Sequence, residues 1–339
     1  MAASTSEPHT PLRVLLLGAT GTIGRATARA LLSRGYDVVC LVRARQGVSS
    51  LTADKHLAEC LDGATVRWGD ACDPASLRHD GFANEKFDAV VSCLASRTGV
   101  PKDAWRIDYQ AHLDALEVAK AVGVKHFVML SAICVQKPLL AFQHAKLAFE
   151  NALVESGLTY SIVRPTAFFK SLSGQLQRVK AGKPFLIFGD GQGTACKPIS
   201  DQDLADFLAG CLQDPSRHNR ILPIGGPGPA VTPLAQGAYL FQLLGKKPRY
   251  QSVPLGLLDG IVGLLSLMGK VSSTMADKAE LARIGRYYAS ESMLVWDQQA
   301  QRYDAEATPS YGTQTLLDAY RGWMQGEGVP DRGEHAVFN

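Results

Sequence analysis

The stretch Arg13-Val14-Leu15-Leu16-Leu17-Gly18-Ala19-Thr20-Gly21-Thr22-Ile23-Gly24 joins an apolar run to three glycines spaced G-x-x-G-x-x-G. The run predicts a buried strand, and the amphipathic pattern over residues 23–33 predicts a helix that begins at the glycines. In that context Gly18 permits a tight turn, Gly21 lets an anion approach the backbone, and Gly24 lets the helix pack on the strand. The alternative is a plain strand-turn-helix, but the position favours a diphosphate bound at the helix N terminus. The predicted dinucleotide contacts of this turn are Gly18, Thr20, Gly21, Thr22, Ile23 and Gly24.

Outward from this turn, the first half of the chain alternates short apolar runs with longer amphipathic stretches. This pattern is typical of a parallel sheet with helices on both faces. The predicted strands are residues 13–17, 37–42, 65–68, 89–92, 126–130 and 159–163, and the predicted helices are 23–33, 105–122 and 139–155. We therefore predict an α/β fold, a doubly wound parallel sheet (Rossmann fold) followed by a smaller, mainly helical C-terminal part that binds the substrate.

The pattern also predicts domain limits. Residues 1–11 are predicted to be a flexible N terminus, 12–165 the dinucleotide-binding domain, 166–325 the substrate-binding part and 326–339 a C-terminal tail. Within the third region, a late strand at 221–224 is expected to complete the sheet, and helices are expected at 172–180, 201–212 and 233–244. The apolar stretch 255–268 is too short to span a membrane. Gly256, Gly260 and Gly263 favour core packing for it, with peripheral membrane contact as the alternative.

Composition excludes several classes of protein. The chain has 339 residues, 46 % hydrophobic and 20 % charged, as in ordinary folded proteins. Lys and Arg total 35 against 32 for Asp and Glu, without a basic run, so nucleic acid is not an expected partner. The seven cysteines show no metal-ligand spacing, so no metal is expected and a reducing compartment is favoured, the cytoplasm or a plastid stroma. Nothing in the sequence indicates the oligomeric state.

The end of the second strand predicts which dinucleotide binds. An acidic residue there would accept hydrogen bonds from the ribose of NADH, but this strand is followed by Arg43 and Arg45. A guanidinium complements a 2′-phosphate, so NADPH is the predicted cofactor. Asp70 is expected to accept from the adenine amino group, whereas Asp73 is better placed to cap a helix. Further contacts are expected at the ends of the third and fourth strands, from Ala71, Cys93, Leu94 and Ala95.

These features resemble the atypical short-chain dehydrogenase/reductases related to the NmrA-like proteins. Five further stretches look more specifically like the divinyl chlorophyllide 8-vinyl reductase family: LSAICVQKP (130–138), FQHAK (142–146), CKPIS (196–200), LPIGGPG (222–228) and GRYYASESM (285–293). That family uses NADPH to reduce one vinyl group of a chlorophyll precursor to ethyl, so the resemblance implies a tetrapyrrole substrate. It runs from residue 13 to about residue 296. Because no transit peptide precedes the fold, it implies a bacterial protein or a processed plastid one.

The resemblance also implies site residues near the nicotinamide. The superfamily places a proton-donating Tyr four residues before a Lys, and here Phe142 precedes Lys146. Phenylalanine cannot protonate an alkoxide, which disfavours ketone reduction, whereas hydride addition to a conjugated vinyl group leaves a delocalised charge that needs no fixed oxyanion donor. Lys146 is the predicted catalytic residue and ribose contact. Other implied cofactor contacts are Ser131, Pro165, Thr166 and Phe168.

Candidate substrate contacts are aromatic. Phe142, Phe168 and Phe169 could stack on a flat macrocycle, and Tyr288 could pack on it or supply a proton. Tyr287 points away from its neighbour on a helix, so at most one of the two tyrosines is expected to face the pocket. The pigment also carries a propionate, and the sequence does not choose which of four cations meets it, Lys137, Lys170, Lys197 or Arg286.

Two other functions fit the same sequence. One is a different NADPH-dependent double-bond reductase, of the isoflavone-reductase-like group, acting on a phenolic or quinone substrate. The other is a non-catalytic NADP(H)-sensing regulator or assembly factor, which would keep the cofactor turn but hold no substrate at the nicotinamide.

Overall fold

A seven-stranded, fully parallel sheet forms the centre of the computed structural model, which describes residues 11–43, 59 and 61–326. The strand order is β3-β2-β1-β4-β5-β6-β8. The strands are β1 Arg13–Leu17, β2 Asp37–Val42, β3 Thr65–Trp68, β4 Ala89–Ser92, β5 His126–Leu130, β6 Thr159–Pro165 and β8 Arg220–Ile224. The predicted doubly wound sheet is confirmed, and the late strand β8 completes it by pairing with β6.

Both faces of the sheet are covered because side chains alternate along each strand. On β1, Val14 and Leu16 join one core cluster, and Leu15 and Leu17 join the other. The first cluster packs under helices α1 (Thr22–Ser33) and α4 (Asp201–Gly210). The second packs under α2 (His112–Ala121) and α3 (Ala141–Glu155).

Two predicted helices are irregular. The helix predicted at 105–122 begins earlier, with Pro101–Ala104, and continues without a break through a π-helical segment, Trp105–Ala111, into α2. The segment predicted at 172–180 breaks into Phe169–Leu172, a 3-10 turn at Ser173–Gln175 and Leu176–Lys180. Other short segments are Pro74–Ser76, the π-helical Leu77–Phe82, and 3-10 turns at Ile133–Gln136 and Pro215–Arg217.

The C-terminal part has its own small core, in which Phe185, Leu240 and Tyr320 pack together. It contains a two-stranded parallel sheet that the sequence did not predict, β7 (Phe185–Phe188) with β9 (Tyr250–Val253). Helices α5 (Pro233–Leu243) and α8 (Leu316–Gln325) pack against this core. A hairpin of β10 (Val295–Asp297) and β11 (Arg302–Asp304) lies between them in the chain.

The expected core packing of the apolar stretch is wrong. It forms α6 (Leu255–Gly269), which packs against α7 (Ser273–Ser290), but Leu258 is its one buried residue. A Cβ added at Gly256, Gly260 or Gly263 would meet nothing within 4 Å, so these glycines serve no close helix contact. Among the residues described, no helix is long and apolar enough to cross a membrane.

Candidate active site

The glycine-rich turn has the shape that a diphosphate requires. Gly18 has φ +78°, and a Cβ at Gly24 would lie 2.1 Å from the Gly18 carbonyl oxygen, so packing within the protein requires both glycines. A Cβ at Gly21 would find its nearest atom 3.5 Å away, in ordinary contact. The protein therefore does not itself need glycine at position 21. Since no side chain caps α1, its first amides are available to an anion at that place.

A cation lies beside this turn that the sequence did not assign to it. Lys170 Nζ donates to Thr22 Oγ1 at 3.1 Å. Asp201 lies close to Lys170 and Arg25, whose charges oppose the rise in its pKa that burial causes. One Asp201 carboxylate oxygen, Oδ1, is buried without a hydrogen-bond partner. Of the four cations considered for a pigment propionate, Lys170 is thus placed at the phosphate turn instead.

Two guanidiniums lie near the same thiol, Cys72, at the expected adenosine end of the crevice. Burial raises the pKa of the Cys72 thiol, and the positive charges of Arg106 and Arg43 oppose that rise, which places both near it. Both arginines are exposed, and in the described part of the chain neither forms an ion pair. Arg106, on the π-helical segment, was not among the predicted contacts. Arg45 lies outside the described residues.

The loop after the third strand confirms that Asp73 is a helix cap, as expected. Asp73 caps the segment Pro74–Ser76 by accepting from the Ala75 amide at 3.0 Å. Asp70 Oδ1 accepts from the Cys72 amide at 2.9 Å, which fixes the carboxylate beside Ala71. The role of Asp70 toward adenine remains a prediction.

The end of β4 lies directly against the glycine turn. A Cβ at Gly18 would be 2.6 Å from the Cys93 carbonyl carbon. Cys93 is held by its thiol contact of 3.6 Å to Thr27 Oγ1, and burial raises the thiol pKa to about 12. Leu94 packs on the core and Ala95 is exposed, so the backbone at 93–95 forms one wall of the crevice.

Lys146 is a buried residue with a buried partner. Its Nζ lies 3.0 Å from Asp108 Oδ1, with side-chain exposures of 7 % and 1 %. Asp108 also accepts from the Ser96 amide at 3.2 Å and the Ser96 hydroxyl at 2.5 Å. An ammonium group on α3 is thereby held at the carboxyl edge of the sheet next to the loop that follows β4. The sequence did not indicate Asp108.

A neutral histidine, His112, lies near the Lys146–Asp108 pair. His112 Nδ1 lies 2.9 Å from the Ile107 carbonyl, so it is the protonated nitrogen, and Nε2 accepts from Ser92 Oγ at 2.9 Å. Desolvation, aided by the charge of Lys146, lowers the pKa of His112 to about 4. Its neutral ring therefore adds no second positive charge beside Lys146.

A second buried histidine, His126, has its pKa lowered to about 4 by desolvation and by His218. Unfolding returns both groups to ordinary values near 6.5, so the unfolded chain binds more protons between pH 6.5 and 4. We expect the free energy of unfolding to fall as pH drops through that window, with a slope of up to about 1.4 kcal/mol per pH unit from each histidine. Urea unfolding at several pH values measures it. His126→Gln should flatten the slope and His144→Gln, at an exposed histidine, should not; equal slopes in both variants would contradict the assignment.

Ser131 and Thr166, expected near the nicotinamide, both have hydroxyls engaged within the protein. Ser131 Oγ donates to Glu150, which is also paired with Arg164. Thr166 donates to the Lys197 carbonyl, and its amide donates to Ile224 at 2.9 Å. The side chains of Ser131 and Thr166 are nearly inaccessible to solvent, and Pro165 is buried. At the ends of β5 and β6 a ligand would therefore contact mainly backbone atoms.

The aromatic candidates divide between pocket and core. A Cβ at Gly99 would lie 3.4 Å from Phe142 and 3.0 Å from Ile284 of α7, which shows that these three residues meet at one place. Phe168 is half-buried beside the first core cluster. Phe169 is 6 % exposed and packs with Leu176 in the C-terminal core, so we remove it from the candidate substrate contacts.

The two adjacent tyrosines of α7 do not point apart as expected: their rings pack edge to face with centroids 5.7 Å apart, and both hydroxyl groups reach Cys134. Tyr287 is buried, and its hydroxyl donates to the carbonyls of Cys134 and Lys137 at 3.1 and 3.2 Å. Tyr288 is 46 % exposed, although its hydroxyl end lies against the Cys134 thiol. Desolvation, followed by that thiol, raises the pKa of Tyr288 well above its ordinary value, so it carries its proton at neutral pH.

The other three propionate candidates are paired within the protein. Lys137 binds Glu291 at 2.8 Å, and Arg286 binds Asp259 at 2.6 Å. Lys197 donates to the Thr308 carbonyl at 3.0 Å. None of these three cations is singled out by its surroundings.

Comparison with known proteins places the chain. A family model for NAD(P)H-binding proteins matches residues 18–215. The chain is 49 % identical to the divinyl chlorophyllide a 8-vinyl-reductase of Cucumis sativus, in a match covering 96 % of this chain and 79 % of the relative. The chain belongs to this reductase family. The resemblance drawn from the sequence is thereby confirmed.

More distant comparisons agree on the fold. The NADPH complex of the quinone oxidoreductase QOR2 from Escherichia coli superposes with a TM-score of 0.65 at 20 % identity, over 92 % of this chain and 99 % of that one. The photosystem II assembly factor Ycf39 of Synechocystis is 28 % identical over 73 % of this chain and 72 % of its own length. The vinyl-reductase family is thus much closer in sequence than these two relatives.

Proposed function

We propose that the chain reduces the 8-vinyl group of a divinyl chlorophyllide, or of the corresponding protochlorophyllide, to ethyl with NADPH. The observation that carries the proposal is the buried Lys146–Asp108 pair set one helical turn from Phe142, where the usual proton donor is absent. Such a site retains the cation that would hold the cofactor but lacks the hydroxyl group that would protonate an alkoxide. Membership of the vinyl-reductase family supplies the substrate class.

The residues present fit NADPH. The space at Gly21, the uncapped start of α1 and Lys170 suit the diphosphate, and Arg43 with Arg106 suits the 2′-phosphate. Lys146, with N–H groups left over after Asp108, suits the nicotinamide ribose. When bound, NADPH supplies the hydride that adds to the terminal vinyl carbon.

Four side chains then complete the reaction. Lys146 orients the reactants and its charge favours the negative charge that spreads over the macrocycle. Phe142 and Phe168 offer apolar surface to the ring system. A proton must reach the inner vinyl carbon, and Tyr288, which is protonated and has its hydroxyl beside Cys134, is the proposed donor; a proton from solvent then replaces the one it gives up. One hydride and one proton convert vinyl to ethyl.

The absent donor at position 142 gives a sharp prediction. Phe142→Tyr should leave kcat for divinyl chlorophyllide within about threefold of the wild-type value, since no alkoxide forms that the new hydroxyl could protonate. Steady-state kinetics with saturating NADPH measure this. A gain of about tenfold or more would mean that proton delivery from this position limits the rate.

The function itself is tested by anaerobic incubation of the protein with NADPH and a divinyl chlorophyllide, following the blue shift of the Soret band as one vinyl group leaves conjugation. We expect the shift to require NADPH and no other reductant. If titration shows NADPH binding but no shift follows, the proposal fails, and a phenolic or quinone substrate or an assembly role becomes the better account.

The same proposal predicts the cellular compartment in which the protein acts. The relatives from plants are labelled chloroplastic. We place the chain in a plastid stroma or a bacterial cytoplasm, where NADPH is available.

A further inference from the structure

Helix α6 presents an apolar surface that no other residue of the described ranges 11–43, 59 and 61–326 covers. Leu264 and Leu267 are 61 % and 63 % exposed, and Leu257 is 58 % exposed. Ile261 and Met268 are each 42 % exposed. We call these five residues the α6 outer face. Leu257, Ile261, Leu264 and Met268 follow each other at intervals of four, three and four residues, so they form one stripe on the helix.

The opposite side of α6 is fixed to α7. Asp259 binds Arg286 at 2.6 Å, and Arg283 donates to Ser266 Oγ at 2.8 Å. Where the chain turns from α6 into α7, a Cβ at Gly269 would lie 2.9 Å from the Ala276 Cα. These contacts hold the helix so that the outer face points away from the protein. Burying it on α7 instead would break two polar contacts.

Charge distinguishes between the possible occupants of this face. Residues 244–271 contain four basic side chains, Lys246, Lys247, Arg249 and Lys270, and one acidic side chain, Asp259. The four cations are exposed, whereas the acid is paired with Arg286. Because these cations lie in the chain segments that lead into and out of α6, a second copy docked on this face would bring like charges toward each other. An anionic bilayer would attract them and accept the leucines into its headgroup boundary.

We propose that the α6 outer face docks on the surface of an anionic lipid bilayer, with the helix lying in the interface. The inference does not depend on the reaction that the site performs. It would place the mouth of the site near lipid, because α7 carries both Ile284, at Gly99 and Phe142, and Tyr288 beside Cys134. An apolar ligand dissolved in the bilayer would then reach the pocket without crossing water.

The test is flotation of the full chain with vesicles of phosphatidylcholine alone or mixed with phosphatidylglycerol. We expect binding to the mixed vesicles that weakens as salt is raised. Ile261→Glu/Leu264→Glu should lower the bound fraction at least about tenfold, because two carboxylates would enter the apolar boundary. Val154→Glu is the matched control, since Val154 of α3 is also 42 % exposed on a helix.

Three results would overturn the proposal. The chain could fail to float with either vesicle, or the double variant could float as well as the wild type. Light scattering could instead show a dimer that the double variant abolishes, which would assign the face to a second copy. Thermal unfolding of both variants checks that they are folded, and NADPH titration should give the wild-type affinity in each.

Discussion

Lys146→Met is expected to lower kcat at least about 100-fold, because the variant loses the cation that orients the reactants at the nicotinamide. It should also unfold more easily. Removing the ammonium leaves the Asp108 carboxylate, 1 % exposed, with Ser96 as its remaining partner, and such a loss typically costs about 3–5 kcal/mol. Steady-state kinetics and urea unfolding report the two effects separately.

The double variant Lys146→Met/Asp108→Asn distinguishes a catalytic role from a structural one. Neutralising both partners removes the uncompensated buried charge, so stability should recover much of its loss. Activity should not recover, because the cation is still missing. If kcat returned together with stability, Lys146 would act only by holding the π-helical segment in place.

The second large effect is expected at the adenosine end. Arg43→Ala and Arg106→Ala should each raise the KM for NADPH by about 10- to 100-fold, the loss expected for a charge-assisted contact to phosphate. The KM for NADH should change little, since NADH has no 2′-phosphate. Arg29→Ala, at an exposed arginine of α1, is the control. If the KM values for NADPH and NADH rose equally in the Arg106 variant, Arg106 would have no role in recognising the 2′-phosphate.

The strands were predictable because the parallel sheet is buried on both faces. Runs such as Arg13–Leu17 and His126–Leu130 are continuously apolar after their first residue, and their limits agree with the structure to the residue. The glycine-rich turn was equally predictable, because the backbone conformation and the close packing leave room only for glycine at positions 18 and 24. The sheet of β7 and β9 was missed, since each strand has four residues and pairs with a distant segment.

The site was harder to predict because its partners come from elements far apart in the chain. Asp108 and Lys146 are 38 positions apart, and their pairing depends on how α3 packs against the π-helical segment. A local signal did exist: Asp108 and His112 share a helix face with apolar Ala115 and Ala119, where polar residues need a reason to be buried. Arg106 gave no such signal, because an exposed arginine on a helix is ordinary.

The π-helical segment Trp105–Ala111 carries Arg106 and Asp108 within one turn. The first lies near Cys72, at the end of the crevice where the adenosine is expected, and the second holds Lys146, where the nicotinamide is expected. In the proposed site, one short backbone segment therefore connects the residue that would distinguish NADPH from NADH to the residues that would position the nicotinamide. Discrimination between the two nicotinamide cofactors should accordingly be expressed in turnover as well as in affinity, with NADH giving a slower reaction even when it saturates the site.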